Sequence, residues 1–105
     1  MVGSIHEVVP GEGFAIATSG GAYSANTRKE YGRIMGVRVR PLTATTIYDV
    51  SILDKDSFVI YQRQGIKGAF SEDLAGCPIV GILTCAIANA TANEAFTYKL
   101  LVEGM

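Results

Sequence analysis

The sequence predicts an all-β domain, an antiparallel β-sandwich or small barrel of about seven to nine short strands. Three observations predict it. Runs rich in Val, Ile, Tyr, Phe and Thr recur at near-regular spacing, with turn signals between them. Several of these runs alternate apolar and polar residues, the period of a strand with one buried face. One pair of runs, Thr45 to Leu53 and Ser57 to Arg63, flanks the charged turn Asp54-Lys55-Asp56 and reads as a β-hairpin.

Taken in order, Ser4 to Val9 is a short strand closed by Pro10-Gly11-Glu12-Gly13. Phe14 to Thr18 is a second, ended by the Ser19-Gly20-Gly21 turn, from which Ala22 to Ala25 returns. Asn26 to Tyr31 is polar and reads as a helical turn or an exposed loop. Arg33 to Pro41 alternates again, with Val37 and Val39 inward and Arg38 and Arg40 outward; Pro41 ends it by removing a ladder donor. In the hairpin, Tyr48, Val50 and Ile52 share one face. In its return run Phe58 and Ile60 oppose Val59 and Tyr61. Apolar residues on both faces predict a central strand there, or one that touches another subunit. Ile66 to Phe70 is a short strand and Ser71 to Pro78 a loop. Ile79 to Ala88 is apolar on both faces and reads as an interior strand. It forms a second hairpin with Ala95 to Glu103, where Phe96, Tyr98, Leu100 and Val102 share a face opposite Thr97, Lys99 and Glu103. The whole reads as one domain over residues 1–105: a Gly-rich segment 1–32, which can serve as an assembly arm, and a core sandwich 33–105.

At 105 residues the chain can bury a core without metal or disulfide. Hydrophobic residues make up 49% and charged residues 18%. Roughly a quarter charged is usual, so the composition points to surface hidden at subunit contacts or to a tightly packed sandwich. The net charge of −1 steers the chain toward neither nucleic acid nor an anionic membrane. The longest apolar run, Ile79 to Ala88, is about half a membrane span. Residues Met1 to Glu7 show neither basic start nor apolar core, so no signal peptide is expected.

No catalytic constellation stands out. The single histidine, His6, is far in sequence from Cys77 and Cys85, whose spacing fits no zinc pattern; both read as free thiols. The glycines near Pro10 and at Gly20-Gly21 lack the Gly-Lys-Ser/Thr of a phosphate loop, and Asp54-Lys55-Asp56 lacks the glycine and glutamate of a calcium loop. Catalytic, cofactor and metal residues are therefore none. Arg38 and Arg40, side by side on one strand face, can touch a phosphate or carboxylate on a partner. With Phe14, Tyr23 and Tyr61 they form the expected interaction surface.

The runs Arg38-Val39-Arg40-Pro41, Thr46 to Ile52, Gly81-Ile82-Leu83-Thr84, Asn89-Ala90-Thr91 and Glu94-Ala95-Phe96-Thr97 resemble small β-sandwich structural proteins of tailed bacteriophages. The resemblance covers residues 37–103. It implies a non-enzymatic virion protein without cofactors, a capsid decoration or cement protein that self-associates and contacts other capsid proteins. A neck or tail component is the near alternative. A separate alternative is a small carbohydrate- or peptide-binding β module, with Tyr23, Tyr31 and Tyr61 as its exposed aromatics.

Overall fold

A computed structural model describes residues 5–10, 14–16, 21–90 and 94–104, with the side chains of residues 14–16 and 29 excepted. It is all-β. The strands are β1 (Ile5–Val8), β2 (Phe14–Ile16), β3 (Tyr23–Pro41), β4 (Ile47–Leu53), β5 (Val59–Lys67), β6 (Phe70–Ala88) and β7 (Ala95–Gly104). All pairings are antiparallel, in the order β1-β7-β3-β6-β4-β5, with β2 also on β7. The Pro10–Gly13 and Ser19–Gly20 turns lie largely outside the described residues.

Two strands make this sheet into a sandwich. β3 and β6 each run 19 residues. Drawn straight, such a strand would span about 60 Å, yet the longest dimension of the molecule is 43 Å. Both strands bend, and their pairing slips register at Asn26/Lys29 and at Ile34/Gly36, the bulges that turn a strand. One layer is built from β1, β2, β7, the second half of β3 and the first half of β6. The other is built from the first half of β3, the second half of β6, β4 and β5. Strands far apart in the sheet order thereby face each other. The Tyr48 ring of β4 meets Phe96 of β7 edge-on, centroids 4.9 Å apart and planes at 68°. The Tyr98 hydroxyl donates across the gap to the Ser51 carbonyl (3.2 Å).

Between the layers lies one core, in which Ile34, Val37, Tyr48, Val50, Ile52, Leu83, Phe96, Leu100 and Val102 are fully enclosed. Val37, Tyr48, Val50, Ile52, Phe96, Leu100 and Val102 are the inward positions that the alternation predicts; Ile34, out of phase with Val37, joins them across the Ile34/Gly36 bulge, and Leu83 comes from the run that is apolar on both faces. The Tyr48 hydroxyl donates to the Gly68 carbonyl (2.7 Å), so the single polar atom of that buried side chain is paired. Where β7 crosses β3 the backbones come very close: a Cβ on Gly32 (φ +135°) would lie 2.0 Å from the Glu103 carbonyl oxygen.

The β4–β5 hairpin forms as expected. Asp54 Oδ1 accepts from the Asp56 and Phe58 amides (2.9 Å each), and Asp54 and Phe58 close the turn backbone to backbone. Six expectations change. The strands are not all short. Asn26 to Tyr31 is strand, not helix or loop, because the bulge absorbs its irregularity and it pairs with β6. Ser71 to Pro78 is strand, because β3 offers it partners on both sides of the bulge at residues 74–76. Among the described residues β5 is an edge strand paired only with β4. Ile79–Ala88 and Ala95–Glu103 do not pair with each other, since β3 lies between them. The boundary drawn at 32/33 falls inside β3.

Candidate functional site

The site begins with the outward residues of the first layer. Val37 and Val39 are buried, so the intervening Arg38 and the following Arg40 point away from the core. On β7 the same logic turns Thr97, Lys99 and Leu101 outward, between buried Phe96, Tyr98, Leu100 and Val102. Register places Arg38 opposite Lys99, Arg40 opposite Thr97, and Glu7 of β1 opposite Leu101. Phe70 and Ala69, where the chain enters β6, supply a further wall. The result is an open groove of about 380 Å³.

Ion pairs hold most of its charged groups. Glu7 accepts from Lys99 (2.9 Å). Arg38 donates through Nη2 to Asp73 (2.7 Å) and through Nη1 to the Val37 and Glu72 carbonyls (3.1 Å each). Arg40 is exposed and has no ion pair among the described residues. The groove therefore mixes polar donors with an apolar wall of Leu101 and Phe70.

A second hollow, of about 450 Å³, opens between the layers where β1 faces β3. His6, inward on β1, meets Glu30 at 3.3 Å there. Thr27 also lines it, but its hydroxyl donates to the Arg28 carbonyl (2.7 Å) and accepts from the Leu83 amide (3.1 Å). That commits the hydroxyl to structure. At the opposite mouth the Tyr61 hydroxyl donates to Glu72, which also receives Arg63 (3.1 Å). Burial first, and the Glu72 carboxylate second, raise the Tyr61 phenol above its ordinary range. Both mouths are thus pinned by polar contacts between layers.

The sequence singled out five interaction residues. The structure brings Arg38 and Arg40 together in the groove. Tyr23 is half-buried against the core. Tyr61 faces Ile52 and spans the far mouth. The side chain of Phe14, on β2, lies outside the described residues. Of the tyrosines named for a binding module, only Tyr31 is well exposed, at 53%. Lys99, Thr97, Glu7 and Phe70 were missed. The outward phase of Thr97 and Lys99 is legible in the final strand, but their position beside the arginines is not.

Both cysteines are free, Cys77 half-buried and Cys85 buried. Burial pushes the Cys85 thiol up to about 12, so it holds its proton at neutral pH. Among the described residues no three His, Cys, Asp or Glu side chains converge to hold a metal.

No protein-family model matches the chain, and no curated protein is significantly similar to it. Solved structures do resemble it in fold. A family two carbohydrate esterase from Cellvibrio japonicus aligns with a TM-score of 0.51 at 12% identity over 100% of this chain and 35% of its own, so the chain spans about a third of that protein. A mutant of the lectin binding domain of Lectinolysin, complexed with Lewis b, aligns with a TM-score of 0.52 at 6% identity over 98% of this chain and 93% of its own. A carbohydrate-binding module in complex with calcium and xylotriose aligns over 99% and 92% at 11% identity, with a TM-score of 0.45 that adds no weight. Identities this low show a shared fold and nothing finer.

Proposed function

We propose that this chain is a non-catalytic β-sandwich module that binds a glycan in the groove between Arg40, Lys99 and Phe70. One observation carries the reading: the groove is concave, near the lower end of the usual size of ligand sites, and combines hydrogen-bonding side chains with an apolar wall. A sugar presents that pairing of hydroxyls and C–H faces. The Lectinolysin domain of similar fold and length, solved with Lewis b, supports the reading. So does the commitment of nearby ionisable groups to ion pairs rather than to an acid–base set. The test is a glycan microarray followed by titration calorimetry on the intact chain. Wild type is expected to retain at least one glycan, and Ala69→Trp, which fills the groove from its exposed rim, to lose it. Retention of the glycan by the filled variant would move the site elsewhere. Absence of any glycan ligand would overturn the reading.

A second reading is favoured by a different face. On the outside of the other layer Tyr31 stands opposite Val80, and Ile82, Leu53 and Val59 continue the stripe. Tyr31, Val80 and Val59 are each more than half exposed. An exposed apolar stripe of this kind suits self-association, which is also what the phage-protein resemblance implies. Light scattering behind a sizing column checks it. A discrete oligomer that Val80→Lys splits supports the reading; a wild-type monomer across a wide concentration range removes it.

A further inference from the structure

The groove carries more positive charge than the fold requires. Arg38 and Arg40 lie two residues apart on one face, about 7 Å along the strand. Lys99 is the direct cross-strand partner of Arg38. Like charges placed opposite each other destabilise an antiparallel pair. The structure answers two of the three cations from the flanks, Lys99 by Glu7 and Arg38 by Asp73. Nothing among the described residues answers Arg40, which stands beside Thr97.

We infer that the ligand of this groove is an acidic sugar, whose carboxylate or sulfate oxyanion sits on the Arg40 guanidinium. The inference rests on the glycan-binding reading and deepens it. A guanidinium presents a fork of N–H donors that matches such an oxyanion bidentately. The Thr97 hydroxyl is placed across from it to take a ring hydroxyl, and Leu101 and Phe70 give the sugar an apolar wall. The Lys99–Glu7 pair is partly exposed on both sides, so it can loosen at little cost and lend its ammonium to a second acidic group. Single-stranded nucleic acid is the less suited polyanion, because the aromatics that alternate with these residues on β7, Phe96 and Tyr98, are buried on the inner face and offer no platform for bases beside the cations.

The test uses the intact chain and matched pairs of probes: trigalacturonate against its methyl ester, and sulfated against unsulfated lactose. Calorimetry at low and high salt reads affinity, and a thermal melt confirms that each variant is folded. The acidic member of at least one pair is expected to bind at least tenfold tighter, with an affinity that falls as salt rises. Arg40→Gln is expected to lose tenfold or more, and Arg40→Lys to recover part of it. Neutral members bound as well as acidic ones, and indifferent to Arg40→Gln, would overturn the inference and leave the glycan reading intact. No glycan of either kind bound on the pairs or the microarray would overturn both. Preference for an oligothymidylate over every acidic sugar would assign the groove to nucleic acid instead.

Discussion

Replacing Tyr48 with Phe removes one oxygen from the centre of the molecule and tests how the two layers are held. The ring is fully enclosed and meets Phe96 edge-on at 4.9 Å, contacts a phenylalanine retains. What is lost is the 2.7 Å hydrogen bond from the hydroxyl to the Gly68 carbonyl, in a site closed to water. Removing one partner of a buried hydrogen bond costs about 1–3 kcal/mol, because the stranded carbonyl keeps its desolvation penalty. For a domain of this size each kcal/mol lowers the melting temperature by roughly 4–8 °C. Alkaline pH gives a second, independent reading. Burial pushes the Tyr48 phenol from 10.0 up to about 12. A folded-state pKa above the unfolded one favours the folded state fully below pH 10 and loses that contribution between pH 10 and 12, roughly 2–3 kcal/mol from this group. Tyr48→Phe should therefore lower stability at pH 7 and flatten the decline above pH 10. The decline persists in part, because burial also raises Cys85 to about 12 and raises Tyr98. Urea titrations at pH 7, 9, 10.5 and 11.5, read at unchanged m-value, measure both effects. An unchanged midpoint at pH 7 together with an unchanged alkaline slope would refute the account of Tyr48 as a buried, hydrogen-bonded phenol.

Three further outcomes are expected. Gly32→Ala places a methyl 2.0 Å from the Glu103 carbonyl oxygen at a positive φ, so β7 must shift off β3; a loss of several kcal/mol, or failure to fold, is expected in denaturant titration. Asp49 accepts from the Gly65 amide (2.9 Å) and from Asn89 Nδ2 (2.6 Å), holding the β5 bulge to the left-handed turn after β6. Asp49→Ala should cost about 1–3 kcal/mol and raise amide exchange at Gly65 first, as hydrogen–deuterium exchange would show. Glu72→Gln weakens the polar latch to Tyr61 and Arg63, which is partly exposed, so a loss of only about 1 kcal/mol is expected. Its clearer mark is a Tyr61 phenol that titrates at lower pH in an ultraviolet difference titration.

The groove shows why part of the site was legible and part was not. That Arg38 and Arg40 face outward follows from their alternation with Val37 and Val39, a local property of an extended chain. That Arg40 lies beside Thr97 and Arg38 beside Lys99 depends on β7 pairing with β3, and nothing local encodes that choice. The setting of the aromatic candidates depends on long-range packing in the same way. Tyr23 and Tyr61 read as exposed, but the folded sheet turns each of them onto the core or across a mouth. The neighbours of known structure share the fold, and they say nothing of which side chains line this groove.

By itself the sequence determined the strand class, the inward and outward phase of β4, β7 and the second half of β3, and the turn at Asp54-Lys55-Asp56. Each depends only on period-two alternation and on residues within a few positions of one another. The tertiary structure alone decided that β3 and β6 continue through Gly32, Gly76 and Pro78 as 19-residue strands, that they bend between layers, and that β7 lies against β3 rather than β6. Breaker residues read as ends where the chain is considered alone. They become bulges and bends when a neighbouring strand satisfies the backbone on either side and the core rewards burial of both halves.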